Sequence, residues 1–118
     1  MKITDPVMKK KMDKALKLDG GLFTLDDIEE HLNNGRMQGH VEGDTWVLTQ
    51  IHDWPRRRAV NIMYLAGSME NVLKLEPKLE CWAKANGANL LTAMGRESWV
   101  EFKTPGWKKI GSLFSKDI

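Results

Sequence analysis

The chain has 118 residues, 42% hydrophobic and 29% charged, with a formal net charge of +2. That is the composition of a single globular domain able to bury a core, and the charge is too small to argue for nucleic acid. One cysteine, Cys81, excludes an internal disulfide, and no apolar run approaches the ~20 residues of a membrane-crossing helix.

The N-terminal segment MKITDPVMKKKMDK lacks the apolar stretch of a secretory signal. Pro6 to Leu18 reads as a helix, with Asp5 as N-cap and Pro6 in the first turn. Val7, Met8, Met12, Ala15 and Leu16 form its apolar stripe, and Lys9, Lys10, Lys11, Lys14 and Lys17 fill the other face. The lysines read as a solvated face rather than as a site for an anionic partner. Gly20 and Gly21 end this helix. Thr24 caps a second, TLDDIEEHLNN, whose buried stripe is Leu25, Ile28 and Leu32 and whose stop is Gly35.

The period then changes from helix to strand. Residues 37–43 and 44–54 alternate and meet at Glu42-Gly43-Asp44, a hairpin signal. Residues 58–67, RAVNIMYLAG, are apolar on both faces, as in a central strand. Residues 68–86 form the longest helix, with Val72, Leu75, Leu79 and Trp82 toward the sheet and a kink or split expected near Glu76 because of Pro77. Cys81, beside Trp82, is expected to be a packed thiol. Residues 88–94 are a fourth strand, 96–103 a short helix and 107–116 a last strand. The order is ααβββαβαβ: an α/β (α+β) domain with a mostly antiparallel twisted sheet and one parallel βαβ pair.

That order resembles the GNAT acetyltransferase superfamily without its usual first strand. The second half resembles a group of small GNAT-like proteins of tailed bacteriophages, through a W-A-x-x-x-G helix end, a G-R-x-x-W motif and a G-W pair. The matching residues are Trp82, Ala83, Gly87, Gly95, Arg96, Trp99, Gly106 and Trp107. The resemblance covers roughly residues 24–116, which makes 1–118 one domain with an N-terminal helix and linker at 1–23.

In that superfamily acetyl-CoA lies between the third and fourth strands of this numbering. Its pyrophosphate rests on a Q/R-x-x-G-x-G/A loop at the start of the long helix. The equivalent residues are Tyr64, Leu65, Ala66, Gly67, Ser68 and Met69. The candidate cofactor-binding set is therefore Leu65, Gly67, Ser68 and Met69. Tyr64 replaces the basic residue and the bulky Met69 replaces the second small one, so Gly67 reads first as a turn and Ser68 as a cap. No cofactor is expected; if acetyl-CoA does bind, the backbone amides at 67–69 would hold its pyrophosphate, and Gly67→Val would block it while leaving the fold intact.

The catalytic side is equally sparse. Trp99 and Phe102 stand in the helix where the superfamily often carries a tyrosine acid, and His52, Asp53 and Glu97 are the nearest general-base candidates. No catalytic residue is assigned. His31, His40 and His52 lack metal-ligand spacing. Arg56, Arg57 and Arg58, beside Trp54, are the strongest basic cluster, able to make a few salt-sensitive phosphate contacts.

The first expectation for function is a phage virion-associated or accessory protein with a degenerate acetyltransferase-like fold, working through contacts with other virion proteins or with itself. An acetyl-CoA-dependent N-acyltransferase is the alternative, and a weak nucleic-acid binder the third. The expected location is the virion or the host cytoplasm, with no membrane partner. The apolar stripe of the first helix would pack either on its own sheet or on a second copy or virion partner. On the second reading, deleting residues 1–19 would leave a folded domain that assembles poorly.

Overall fold

A computed structural model describes residues 4–93, 106–111 and 114–118. Helix α1 spans Pro6–Leu16 and runs into a short 3-10 turn, Lys17–Asp19; α2 spans Leu25–Asn34. Strands β1 (Gln38–Glu42), β2 (Thr45–Asp53) and β3 (Arg58–Ala66) follow, then α3 (Met69–Ala85) and β4 (Leu90–Ala93). The sheet order is β1-β2-β3-β4, antiparallel twice and then parallel between β3 and β4. This is a mixed α+β fold with one parallel pair joined by a crossover helix, as the sequence pattern predicts.

Local chemistry sets the element ends. The Asp5 carboxylate accepts from the Val7 amide, with Pro6 in the first turn. Thr24 and Asp27 form a reciprocal capping box on α2. Gly43, at φ 58°, makes the two-residue turn that pairs Glu42 with Thr45.

Helices cover both faces of the sheet. On one, Met8, Met12 and Leu16 of α1 and Ile28 of α2 pack with Met37, Leu48, Tyr64 and Ala66. On the other, Leu75, Leu79 and Ala83 of α3 pack with Val47, Val60 and Ala88. Met8, Met12 and Leu16 of the α1 stripe are thus covered by the chain's own sheet, Met12 being fully buried, whereas Val7, expected in the same stripe, is 62% exposed. The docking reading of that stripe, and the foldable truncation that went with it, lose their surface.

Three further expectations change. Pro77 lies inside one continuous α3, on its exposed side, and does not split it. Cys81 is exposed, because Leu75, Leu79 and Ala83 define the buried face and the thiol lies off it. The 96–103 helix lies outside the described residues. The described residues of 107–116 are in no strand: the Trp107 indole donates to Glu76 Oε1 on α3 at 2.8 Å, while Ile110 and Phe114 are exposed and bury no face.

Candidate functional site

The turn from β3 into α3 is closed by its own chain. Ser68 is the N-cap of α3, its Oγ accepting from the Asn71 amide at 3.3 Å. Its backbone N–H donates to Oγ1 of Thr45 at 2.9 Å, and Thr45 is fully buried. Asp44 joins the same corner by accepting from Asn71 Nδ2 at 3.0 Å. Gly67 has φ 134°, and a Cβ there would lie 2.6 Å from Thr45 Cα. The glycine is therefore demanded by contact with β2. The expectation that Gly67→Val would leave the fold intact is overturned by that contact.

The other members of the loop face different ways. Leu65 packs with the α3 cluster and Met69 is half-buried. Tyr64 is buried on the opposite face, edge-on to Phe23 with ring centroids 6.0 Å apart. Its place at the head of the loop motif is a core position. The Asn71 amide meets Ser68 Oγ and the Val72 amide meets the Ser68 carbonyl. The first-turn amides of Met69 and Glu70 are what the helix end has left for an anion.

A β-bulge lies at the centre of β3. Leu48 pairs with Tyr64 and Thr49 with Ile62, so Met63 is the extra residue. Met63 and Tyr64 consequently both pack toward α1 and α2, breaking the two-residue alternation. The bulge lies one residue beyond the last described β3–β4 pair, Ile62 with Ala93. Beside it, Thr92 Oγ1 donates to Asn61 Oδ1 at 2.8 Å, and Asn61 Nδ2 meets Met63 Sδ at 2.9 Å. Asn61 is buried and ties the two parallel strands together. Sequence reasoning missed this group, because an inserted residue leaves no mark in a run that is apolar on both faces.

Of the proposed acid–base and arginine residues, Asp53, His52, Arg57 and Arg58 are engaged in structural contacts. Asp53 is bound by Arg58, Nε to Oδ1 at 2.7 Å, and that hydrogen bond holds its carboxyl below the usual carboxylate range. Arg58 also donates to the Asn86 carbonyl, and Arg57 donates to the side chain and carbonyl of Asn89. Both arginines thus tie the β2–β3 turn to the end of α3. Arg56 makes no such bond among the described residues. His52 contacts Gln50 and is edge-on to Trp54. Glu97, Trp99 and Phe102 lie outside the described residues. Among the described residues no group of three His, Cys, Asp or Glu side chains could hold a metal ion, and no helix is long and apolar enough to cross a membrane.

His40, on β1, is weighed from sequence only as a metal ligand and set aside on spacing. Its ring is edge-on to Trp82 of α3, with centroids 4.7 Å apart, and Nε2 lies 3.0 Å from Thr49 Oγ1. The Thr49 hydroxyl has Gln38 oxygens as its acceptors, so Nε2 carries the imidazole proton. Burial pushes the His40 pKa down, which favours the neutral ring.

No protein-family model matches the chain, and no curated protein matches it. Solved structures do match. A structure described as a probable acetyltransferase aligns with a TM-score of 0.62 at 10% identity, over 95% of this chain and 89% of its own. The protein TTHA1254 from Thermus thermophilus, solved as a point mutant, aligns at 0.58 and 15% identity, over 93% and 92%. A transcriptional regulator from Bacillus halodurans aligns at 0.58 and 10% identity, over 100% and 97%. At these identities the likeness is one of fold: the chain has a GNAT-like acetyltransferase fold.

Proposed function

We propose that this is an acetyltransferase-fold protein that does not turn over acetyl-CoA and acts through protein–protein contacts, as a phage-encoded virion or accessory component. The closed turn supports the non-catalytic reading. The Ser68 amide, which a pyrophosphate would need, already donates to the buried Thr45 hydroxyl, and Gly67 is packed against the Thr45 backbone. The base candidate Asp53 is neutralised as a base by Arg58. The motif residues Trp82, Ala83, Gly87, Gly106 and Trp107, in order along the chain, support the phage setting. Packaging, portal and capsid genes beside this one would support the virion role, and an operon of metabolic enzymes would count against it.

The Met63 bulge favours a second reading, an acetyl-CoA-dependent N-acyltransferase. A bulge bends its strand, and one placed beside β4 is able to splay the parallel pair for a cofactor. Release of free thiol from acetyl-CoA in the presence of a panel of primary amines separates these readings. The first expects no release above the buffer rate; saturable, amine-dependent release supports the second.

A further inference from the structure

The C-terminal end of α2, the start of β1 and the end of β2 border a shallow, solvent-open cleft of about 370 Å³, lined by His31, Gly35, Arg36, Gln38, Gln50, Ile51 and His52. Its volume is that of a small-molecule site. It lies toward the β1 edge of the sheet, whereas any acyl-CoA cleft would lie on the far side of β3, toward β4.

The lining has one guanidinium, two imidazoles and two carboxamides, and no carboxylate. No α2 acid is in the lining; the Asp27 carboxylate, whose Oδ2 accepts from the Thr24 amide, acts on His31 through charge alone. The two histidines are held in place. His31 Nδ1 donates to the Asp27 carbonyl at 2.9 Å, and its ring is edge-on to Phe23 at 5.4 Å. That leaves Nε2 as the ring atom able to meet a ligand. His52 Nε2 lies 3.4 Å from Gln50 Oε1, which turns the carboxamide nitrogen of Gln50 away from that contact. Gln38 Nε2 donates to the Gly35 carbonyl at 3.0 Å and braces the wall.

Arg36 is different from Arg57 and Arg58. Those two are fixed on carboxylate, carboxamide and carbonyl oxygens. The Arg36 side chain makes no hydrogen bond or ion pair among the described residues, although its backbone amide is held by Asn34 Oδ1 at 3.0 Å. A guanidinium without a partner, at the mouth of a cleft that holds no acid, matches a planar or tetrahedral oxyanion. Ile51 adds an apolar wall against which a short carbon skeleton would rest.

We infer that this cleft is a binding site for a small oxyanion, a phosphate or carboxylate compound, with Arg36 as the main charge partner and His31, Gln50 and His52 as polar contacts. The test is a ¹H–¹⁵N NMR titration of the full chain with inorganic phosphate and, separately, with succinate, at constant pH and ionic strength. The inference expects saturable shifts clustered at Gly35, Arg36, Gln38, Ile51 and His52 with at least one of the two. The stronger ligand names the oxyanion class. Arg36→Gln should weaken binding by about tenfold or more, the loss of one charge-assisted contact. Arg56→Gln, an exposed arginine on another turn, should leave it unchanged. No saturable shift with either ligand, or an equal loss in both variants, overturns the inference.

Discussion

The Ser68 amide and the Thr45 hydroxyl lie 2.9 Å apart, joining the residue that opens α3 to the first residue of β2. One hydrogen bond thus fixes where the crossover helix starts relative to the hairpin and occupies a donor that an anion at this turn would use.

Removing that acceptor should be costly. Thr45→Val keeps the shape but leaves the Ser68 N–H without its buried partner, at a cost of about 1–3 kcal/mol. Thr45→Ser keeps the oxygen and should lose less. Urea unfolding of the three proteins checks this, and equal midpoints for Val and Ser would show that the hydroxyl is unimportant.

Gly67→Ala should be among the most damaging single substitutions in the chain. It combines a backbone conformation at φ 134° that other residues rarely adopt with a Cβ 2.6 Å from the Thr45 Cα. Backbone strain and overpacking together predict a loss of at least about 2 kcal/mol. A thermal midpoint within error of the parent would contradict it.

The N-terminal helix should belong to the cooperative unit. Met12 is fully buried between α1 and the sheet, so Met12→Ala should cost about 2–5 kcal/mol. A chain lacking residues 1–19 should show no cooperative melting transition. A sharp transition at an unchanged midpoint would return α1 to the role of a separable arm.

Acidification should weaken the fold through His40. Its pKa is depressed by burial below the ordinary 6.5. Below pH 6.5 the unfolded chain therefore takes up a proton before the folded one does, and stability falls with falling pH until the folded pKa is passed. Above pH 6.5 this contribution is constant. The difference in unfolding free energy between the parent and His40→Gln, followed from pH 8 to 4.5 by Trp fluorescence, should shrink through that window; a pH-independent difference would assign the effect to other groups.

The legible features of the fold were the local ones. Asp5, Thr24 and Gly43 announce caps and a turn because the atoms that satisfy them lie within three residues in the chain. The parallel pair followed from two apolar runs separated by an amphipathic helix. The site was less legible for the opposite reason. Ser68 looks like a simple cap, and nothing near it in sequence points to Thr45, 23 residues earlier. The Met63 bulge shifts the register within a run where every face is apolar, so the pattern reads the same with or without it. Cys81 was misplaced because its neighbour Trp82 shares the sheet side of α3, whereas one residue on a helix turns the direction by about 100°.

Calorimetric titration of the full-length protein with acetyl-CoA tests the central claim most directly. With the Ser68 amide held by Thr45, the account predicts no saturable heat, or a Kd weaker than about 1 mM. A low-micromolar Kd at one site per chain would contradict it, and would mean that the turn between β3 and α3 opens to receive the pyrophosphate.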